Sequence, residues 1–409
     1  MINLIFKMYF ILALLLVAVP GKLKAQNSDK EKELIRILNL GEVHIDKDEI
    51  LPIEIIDDMI VIKIKVNGVE ESFLWDNGFS TSALDISIQD KVKLTSVPSL
   101  KDFDARDGNA VFVKMNIKFA DKVELGSVKI TNTTFTDVDF SKMIGKVKIK
   151  GILGSSIISK LNWRFDFDHK KVTISRNTFT GQGIVLPFEI DPYNNYKILF
   201  GVNSSMGVAQ IDFGYNGDKI EMPIQTLPIF GKVKKSTTIG SIASSVSGIS
   251  KVDTTYTIKE FDYRIGDSIT KLKDPVKILL TNKGRPVIGN RFFRHYNICL
   301  NNSAGSMILT PRITSISNYP QKTYGFSIAI QNNKFVVVAI TDNPNVIRYP
   351  ELKLNDEFIS VNGKSVDDFI YVSDFRLLLI QSLLANKSIK VTRKDGKEFL
   401  LSPKEDIYR

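Results

Sequence analysis

Two aspartates lie in turns whose residue types suit acid–base chemistry. Leu74-Trp75-Asp76-Asn77-Gly78 and Gln210-Ile211-Asp212-Phe213-Gly214 both end a strand-like run with the pattern Asp-x-Gly. Glycine permits a tight turn there, so each carboxylate is expected to emerge at the floor of a cleft. Two adjacent carboxyl groups cannot both ionise cheaply and therefore share a proton. Such a pair can activate water as a base and protonate a leaving amine as an acid.

The two turns are landmarks of an internal repeat. Val66-Asn67 precedes Asp76 and Val202-Asn203 precedes Asp212, with every position shifted by 136 residues. Further along, the copies correspond in Gly151-Ile152-Leu153-Gly154 with Pro286-Val287-Ile288-Gly289, and in Asn162-Trp163-Arg164-Phe165-Asp166 with Asn297-Ile298-Cys299-Leu300-Asn301. Because the landmarks keep their order and spacing, we predict one unit written twice over about residues 55 to 311. A pseudo-two-fold axis between the copies would bring Asp76 and Asp212 together.

The elements that must position these residues are short strands. From Leu51 onward, apolar-rich runs alternate with turns such as Asn67-Gly68, Asp107-Gly108 and Asn216-Gly217, a pattern that predicts a mainly β protein. After a linker at 313–321, residues 322–405 form a further unit of ordinary domain size with strands and one helix-like run over 372–385. Residues 26–54 are interpreted as a lead-in to the first copy.

The N-terminus has the order of a secretory signal peptide. Lys7 precedes an apolar run from Met8 to Pro20, and small and polar residues follow up to Ala25-Gln26. We predict a signal peptide over 1–25, an exported mature chain that is periplasmic or secreted, and no membrane span after cleavage; an uncleaved anchor is the alternative. Cleavage would lower the net charge from +10 to +7.

Composition excludes several other kinds of chemistry. Cys299 is the single cysteine, so an exported chain has no internal disulfide, and it is expected to pack as a small apolar residue rather than act as a nucleophile. The three histidines are far apart without ligand-like spacing, so no metal site and no cofactor is predicted. The basic residues form no stripe interleaved with aromatics, so no nucleic-acid partner is expected.

The repeated motifs carry a family resemblance. An Asp-x-Gly turn followed some 75 residues later by an apolar-apolar-Gly run resembles the signature of retropepsin-like aspartic proteases, and two copies in one chain resemble a fused, pepsin-like arrangement. Residues 322–405 resemble a PDZ domain, with Tyr324-Gly325-Phe326 similar to its carboxylate-binding loop and 354–363 similar to its Gly-Asp-containing strand entry. The resemblance implies two closed β lobes related by a pseudo-two-fold, over 55–180 and 181–312, followed by a PDZ-like α+β domain.

Carried over residue by residue, the resemblance makes Asp76 and Asp212 the catalytic pair. Gly78, Gly214 and Ser80 would then contribute to substrate binding, and Gly325 and Phe326 would bind a peptide C-terminus. Hairpins at Arg106–Val111 and Ser236–Ser250 would close over the bound peptide. Two copies in one chain remove the need for a homodimer, so a monomer is expected.

The chain departs from the family pattern beside each aspartate. Asn77 and Phe213 replace the hydroxyl residues that brace the two loops across the axis, and Asn216 stands where a second hydroxyl is usual. Asparagine can still donate and accept hydrogen bonds, but phenylalanine can do neither. The sequence therefore predicts an aspartic-type endopeptidase acting on peptides or proteins, and leaves open a catalytically inactive, peptide-binding relative of the cell envelope.

Overall fold

The computed structural model describes residues 26–97, 101–141, 148–217, 220–241, 243–245, 247–266, 276–314 and 320–405. The predicted signal peptide at 1–25 lies outside these residues. The chain divides into two compact units, and the first ends at Ile37. The described part of this unit belongs to helix α1 (Gln26–Leu38), whose last residue, Leu38, is the first residue of the second unit. All other elements belong to the second unit, Leu38–Arg409. In the described ranges, no helix has the length and apolar character needed to cross a membrane.

Of the described residues, 48% lie in strands and 16% in helices, which confirms the predicted mainly β class. Residues 42–180 are here called the first segment, and their described part (42–97, 101–141 and 148–180) contains fourteen strands. They are β1 (Glu42–His44), β2 (Glu49–Pro52), β3 (Glu54–Ile56), β4 (Met59–Val66), β5 (Val69–Trp75), β6 (Ser82–Asp85), β7 (Thr95–Ser96), β8 (Phe103–Arg106), β9 (Phe112–Met115), β10 (Ile117–Leu125), β11 (Val128–Val138), β12 (Gly151–Leu153), β13 (Asn162–Asp166) and β14 (Lys171–Ser175). Its helices are short: a 3₁₀ turn at Ile86–Ile88, α2 (Gln89–Val92) and α3 (Ser155–Ile158).

Six of these strands form a closed barrel. They pair in the order β6-β12-β5-β4-β10-β11, and β11 closes the ring by pairing with β6. The local sequence explains the hairpin β4–β5: apolar residues alternate with exposed Lys63 and Lys65, and Asn67-Gly68 supplies the two positive φ angles of a two-residue turn. Two of the six contacts, β5–β12 and β6–β11, are parallel.

Residues 181–314 are the second segment, and another fourteen strands lie in the part of it that the structure describes. They are β15 (Ile184–Pro187), β16 (Glu189–Ile190), β17 (Tyr196–Val202), β18 (Ser205–Asp212), β19 (Ile220–Pro223), β20 (Lys235–Gly240), β21 (Ser244–Ser245), β22 (Gly248–Ile249), β23 (Asp253–Ile258), β24 (Tyr263–Ile265), β25 (Ile278–Thr281), β26 (Val287–Gly289), β27 (Tyr296–Asn301) and β28 (Ser306–Pro311). Its helical turns are all 3₁₀, at Ile224–Phe230, Asn290–Phe293 and Asn302–Ala304.

Every contact of the barrel has a counterpart in the second segment. The order β19-β26-β18-β17 repeats β6-β12-β5-β4, and β18–β26 and β19–β25 are parallel as their counterparts are. Strand β10 corresponds to two strands, because β23 pairs with β25 while β24 pairs with β17. The ring is thus interrupted between Ile258 and Tyr263, where the first segment has continuous strand.

The two segments also share one six-stranded sheet. Its order is β2-β14-β13-β27-β28-β15, so the first segment contributes one half and the second segment the other. The halves meet at β13 and β27, where Arg164 lies opposite Cys299. Cys299 is half-buried there, and burial raises the pKa of its thiol, which disfavours the nucleophilic thiolate.

Part of the predicted lead-in belongs to these sheets. Strand β1 pairs with β11, and β2 pairs with β14. Strand β2 is the edge strand of its half of the shared sheet, as β15 is of the other half. A four-residue strand is too short for its alternation to be recognised in sequence, so its pairing partner decides its role.

One hydrophobic core runs through both segments, and aromatic rings lie at its centre. Trp75 is fully buried and makes edge-on contacts with the rings of Trp163, Phe165 and Phe213, with centroids 5.7, 4.9 and 5.6 Å away. Edge-to-face pairs at such distances are favourable beyond their buried area. The residue before Asp76 and the residue after Asp212 are thereby packed against each other.

Residues 320–405, the C-terminal segment, have a separate core around Phe335 and Phe375. The elements are β29 (Lys322–Thr323), β30 (Phe326–Gln331), β31 (Lys334–Thr341), α4 (Pro344–Arg348), β32 (Glu357–Val361), a 3₁₀ turn at Val366–Asp368, α5 (Val372–Leu384), β33 (Ile389–Arg393), β34 (Glu398–Leu401) and β35 (Lys404–Glu405). Five strands pair in the order β30-β31-β32-β33-β34.

The C-terminal segment continues the sheet of the second segment. Strand β20 pairs with β31, with Thr238 opposite Thr341 and Gly240 opposite Ala339. A side chain at Gly240 would overlap the β31 backbone, so glycine is required for this approach. Strand β20, which leads into loop 241–250, therefore pairs on one edge with β31 of the C-terminal segment and on the other edge with β23.

Candidate active site

Asp76 and Asp212 lie where two equivalent parallel strand pairs end. Asp76 follows β5, and its amide donates to the Leu153 carbonyl of β12 at 3.0 Å. Asp212 ends β18 opposite Gly289 of β26. Because each of these strands pairs in parallel with its neighbour, each aspartate lies at the carboxyl end of its strand pair, and its turn lies at that edge of the sheet.

The two turns cross, and their carboxyl groups are hydrogen-bonded to each other. The Gly78 amide donates to Asp76 Oδ1 at 2.8 Å, and the Tyr215 amide donates to Asp212 Oδ1 at 2.9 Å. A Cβ on Gly78 would overlap the carboxyl group of Asp212, and a Cβ on Gly214 would overlap that of Asp76. The structure thus brings together Asp76, Asp212 and both predicted glycines, and glycine is required at 78 and 214 by close approach.

The pair is electrostatically unequal. Burial, followed by repulsion from the Asp212 carboxylate, raises the pKa of Asp76 well above its usual range. Burial also raises the pKa of Asp212, but the nearby Arg285 guanidinium and the Tyr215 amide oppose the increase. Both pKa values are thus raised, so the pair retains a shared proton, and the Arg285 guanidinium favours the ionised form of Asp212.

Asn77 braces the two turns from the first segment. Its side chain is buried; Nδ2 donates to the Ile211 carbonyl at 3.2 Å, and Oδ1 accepts from the Phe213 amide at 2.8 Å. Ser155 Oγ in turn donates to the Asn77 carbonyl at 2.7 Å. The amide side chain thus supplies both a donor and an acceptor to the backbone on either side of Asp212.

Phe213 fixes the opposite turn by packing instead. Its ring is 1% exposed and lies 5.6 Å from the rings of both Trp75 and Phe293. The Phe213 side chain therefore points into the core and away from the carboxyl pair. One polar brace and one aromatic anchor thus hold the two turns.

Replacing Asn77 by alanine should lower the free energy of unfolding by about 2–4 kcal/mol, because the buried Ile211 carbonyl and Phe213 amide would lose their partners. Asn77→Thr is the matched control, since one hydroxyl can both donate and accept. Urea denaturation followed by tryptophan fluorescence measures both. Equal losses for the two variants would contradict a hydrogen-bonding role.

The remaining predicted residues near the pair have different roles. Ser80 is half-buried in the turn that precedes β6, and no hydrogen bond joins its side chain to Asp76 among the described residues. Asn216 Nδ2 donates to Asp57 Oδ2 at 2.8 Å. Asp57 also forms ion pairs with Arg291 and with Arg376 of α5, both within 3 Å. Asn216 therefore belongs to a charged cluster that connects the second turn to the C-terminal segment.

A hairpin of the first segment lies over Asp212. Strands β8 and β9 are joined by loop 107–111, and Arg106, Asp107, Gly108 and Ala110 line a cavity together with Asp212. Within the loop, Asp107 Oδ1 accepts from the amides of Asn109 and Val111 at 3.0 and 2.9 Å. These bonds stabilise the turn as the sequence pattern Asp-Gly suggested.

The tip of this hairpin contacts loop 241–250 of the second segment. The Gly108 amide donates to Ser245 Oγ at 3.0 Å, and Asn109 Nδ2 donates to the Gly248 carbonyl at 2.9 Å. The Ser247 amide donates to Asp107 Oδ2 at 3.1 Å. Burial alone would raise the pKa of Asp107, but the bonds from Ser247 and Val111 outweigh it and lower the pKa. The two predicted hairpins thus meet, although Ile242 and Val246 of the second lie outside the described residues.

In the C-terminal segment, Gly325 and Phe326 lie at the start of β30. Gly325 has a φ of +82°, and its amide donates to Thr323 Oγ1 at 3.1 Å. Phe326 is 5% exposed and belongs to the core. Among the described strands, β30 pairs with β31 alone, so its other edge offers unpaired backbone groups.

Four polar residues near Asp212 were not identified from sequence: Gln210, Glu221, Lys283 and Arg285. All except Gln210 line the cavity beside Asp212. Gln210 lies on β18, Glu221 on β19, and Lys283 and Arg285 lie in the connection between β25 and β26. The pairings of β26 with β18 and β19 bring them together. Comparing the two copies position by position, at Gln210 against Leu74 for example, would have detected the difference. Among the described residues, no group of three or more His, Cys, Asp or Glu side chains is arranged to hold a metal ion.

Neither the protein-family models nor the curated proteins contain a match to the chain. The functional conclusion therefore depends on the geometry of the carboxyl pair.

Proposed function

We propose that the chain is an aspartic-type endopeptidase whose carboxyl pair is Asp76 and Asp212. The observation that carries the proposal is the direct hydrogen bond between these carboxyl groups at the crossing of two glycine turns. The repeated strand order supports the retropepsin-like resemblance, with two lobes related by a pseudo-two-fold axis. The N-terminal pattern of residues 1–26 supports export, so we place the activity in the periplasm or outside the cell.

In the proposed reaction, Asp212 acts as base and Asp76 as acid. The Asp212 carboxylate takes a proton from water as the water oxygen attacks the peptide carbonyl carbon. Asp76 gives its proton to the carbonyl oxygen, which forms a tetrahedral diol. The diol returns a proton to Asp76 as the carbonyl reforms, Asp212 protonates the nitrogen, and the C–N bond breaks to give an acid and an amine. The Arg285 guanidinium, which favours the ionised form of Asp212, supports this assignment.

The meeting of the two hairpins supports enclosure of a peptide. Loop 107–111 extends over the cavity beside Asp212, and its contacts with loop 241–250 bridge the two lobes. These contacts are hydrogen bonds with partly exposed groups, so they can open at modest cost. An extended peptide would enter beneath them and displace water from the carboxyl pair.

The C-terminal segment is proposed to be a PDZ-like domain that recruits peptide ends. Strand β30 has an unpaired edge beside the Gly325-Phe326 turn, which suits strand addition. Strand β31 connects β30 to β20, and β20 leads into loop 241–250. A peptide bound at β30 would therefore lie two strands away from the hairpin that covers the cleft.

The second candidate is a catalytically inactive peptide-binding protein. Asn77 and Phe213 favour it, because neither of the two bracing hydroxyls is present. A mixed peptide library incubated with the purified mature chain between about pH 3 and pH 7 separates the two candidates. Cleavage within peptides supports the endopeptidase; binding without cleavage at any of these pH values would support the second candidate.

Recruitment by the C-terminal segment predicts a carboxylate preference. A peptide with a free C-terminus should bind at least about tenfold more tightly than its C-terminal amide, because the carboxylate accepts charge-assisted hydrogen bonds. Calorimetry on Asp212→Asn, which should retain this binding, avoids cleavage during the measurement. Equal affinity for acid and amide would remove the PDZ-like role and leave the proposed catalysis untouched.

A further inference from the structure

Four of five equivalent positions differ in chemistry between the two segments. Strand register aligns Ile152, which lies beside Leu74 and Ala83, with Val287, which lies beside Gln210 and Glu221. In the first segment, Leu74, Ala83 and Ile152 form a separate apolar cluster with two further residues. These are Val138, the last residue of β11, and Phe140, which follows that strand. The equivalent residues in the second segment are Gln210, Glu221, Thr281, Lys283 and Val287.

In the second segment this polar set is joined by its own contacts. Glu221 is buried and accepts from Thr281 Oγ1 at 3.0 Å, and Lys283 Nζ lies 3.8 Å from its other carboxylate oxygen. Arg285 Nη1 donates to Gln210 Oε1 at 2.7 Å. Gln210 is 7% exposed, and its buried Nε2 has no acceptor among the described residues. A buried amide donor without a partner is costly, so an oxygen ligand here would be stabilised.

The polar set opens into the cavity beside Asp212. The cavity encloses about 190 Å³ and is lined by three cationic and three acidic side chains, together with Gly108, Ala110, Tyr215 and Val287. The acidic groups already have partners: Asp107 accepts backbone amides, Glu221 is paired with Lys283, and Asp212 is bonded to Asp76. The cations Arg106 and Arg285 donate only to neutral oxygens, of Ala110 and Gln210, among the described residues.

We infer that this cavity binds an acidic side chain, Asp or Glu, of the substrate residue next to the scissile bond, with Arg285 and Arg106 as its cationic partners. The inference rests on the proposed function for the position of the scissile bond at Asp76 and Asp212. A carboxylate would pair with guanidinium groups that form no ion pair within 4.0 Å among the described residues, and it would give oxygen acceptors to this part of the cleft. An apolar side chain would leave these cations without a partner, and a lysine would add a further positive charge.

The test uses two peptides that differ only by Glu or Gln next to the bond that the library identifies. We expect kcat/KM to be at least about tenfold higher for Glu, and Arg285→Gln to reduce this ratio to about twofold or less. Arg106→Gln, on an exposed hairpin, should reduce it in part, and Arg285→Lys should restore part of it. Lys47→Gln removes one exposed positive charge far along the chain from the cavity and serves as the control. A ratio near one in the wild-type chain would overturn the inference.

A binding measurement separates this inference from the proposed function. Fluorescence anisotropy with the Asp76→Asn variant reports affinity for the Glu and Gln peptides without any cleavage. A preference for Glu that disappears in the Asp76→Asn, Arg285→Gln double variant supports the pocket even if no peptide is ever cleaved. If the wild-type chain cleaved both peptides and the Asp76→Asn variant bound them with equal affinity, the inferred pocket would be overturned and the proposed endopeptidase activity would stand.

Discussion

Asp76→Asn and Asp212→Asn should each reduce kcat/KM for peptide cleavage by about 10³-fold or more, because each removes one of two groups that act on the same water. The wild-type rate should depend on pH with two limbs. It should fall as pH rises through the raised pKa of Asp76, since the acid loses its proton, and fall at lower pH as Asp212 becomes protonated. Initial rates on a fluorogenic peptide measure both effects.

Stability provides an independent readout for the same substitution. A carboxyl group whose pKa is raised in the folded state favours folding at low pH, and this contribution is lost as pH rises through the folded pKa. At neutral pH the wild-type chain therefore bears the cost of a buried, repelled carboxylate, and Asp76→Asn should melt at the same or a higher temperature. The difference should shrink toward about pH 4, near the unfolded pKa.

Asp46→Asn is the control for both measurements, because Asp46 is exposed in a turn. It should leave the rate and the melting temperature unchanged. Cleavage that survives both single substitutions in the pair would exclude the carboxylate mechanism. A melting temperature of Asp76→Asn well below that of the wild-type chain at neutral pH would contradict the raised pKa.

Adding one methyl group at Gly78 or Gly214 should abolish cleavage and lower the free energy of unfolding by about 1–3 kcal/mol. In each case the new Cβ would overlap the opposite carboxyl group, so the two turns must separate. Separation breaks the hydrogen bond that lets the pair share a proton, and the raised pKa values should return toward ordinary values. Peptide cleavage and thermal unfolding of Gly78→Ala and Gly214→Ala measure the two effects.

Gly207→Ala is the matched control for the glycine substitutions. Gly207 lies on β18, the strand that ends at Asp212, and a Cβ there would meet no atom within 4 Å. It should retain activity and stability close to wild type. If Gly214→Ala were as active as Gly207→Ala, the crossing of the two turns would not be needed for catalysis.

Local signals were sufficient to predict the class of fold and the turns that hold the aspartates. Apolar alternation and Asn-Gly turns act over a few residues, so the mainly β class followed from the sequence and is confirmed. The segment before Leu51 was harder, because β1 and β2 are short and acquire their roles only through pairing with β11 and β14. The interruption between β23 and β24 likewise has no clear signal in the sequence.

The residues around the carboxyl pair show where local reasoning ends. The sequence indicated that Asn77 could donate and accept and that Phe213 could not. Tertiary structure decided that Asn77 reaches the backbone on both sides of Asp212 and that Phe213 packs on Trp75. Both outcomes depend on contacts between residues about 135 positions apart, which no short window contains.

The sequence by itself determined that Asp76 and Asp212 occupy equivalent turns, since residue types and spacing repeat at a constant offset. Only the tertiary structure decided that the turns cross with their carboxyl groups in contact, and that the cavity beside Asp212 is polar where its counterpart is apolar. The physical reason is strand register. Each strand pairing fixes which side chains from distant segments share a face, and one face of β18, β19 and β26 carries Gln210, Glu221 and Val287 beside the reacting groups.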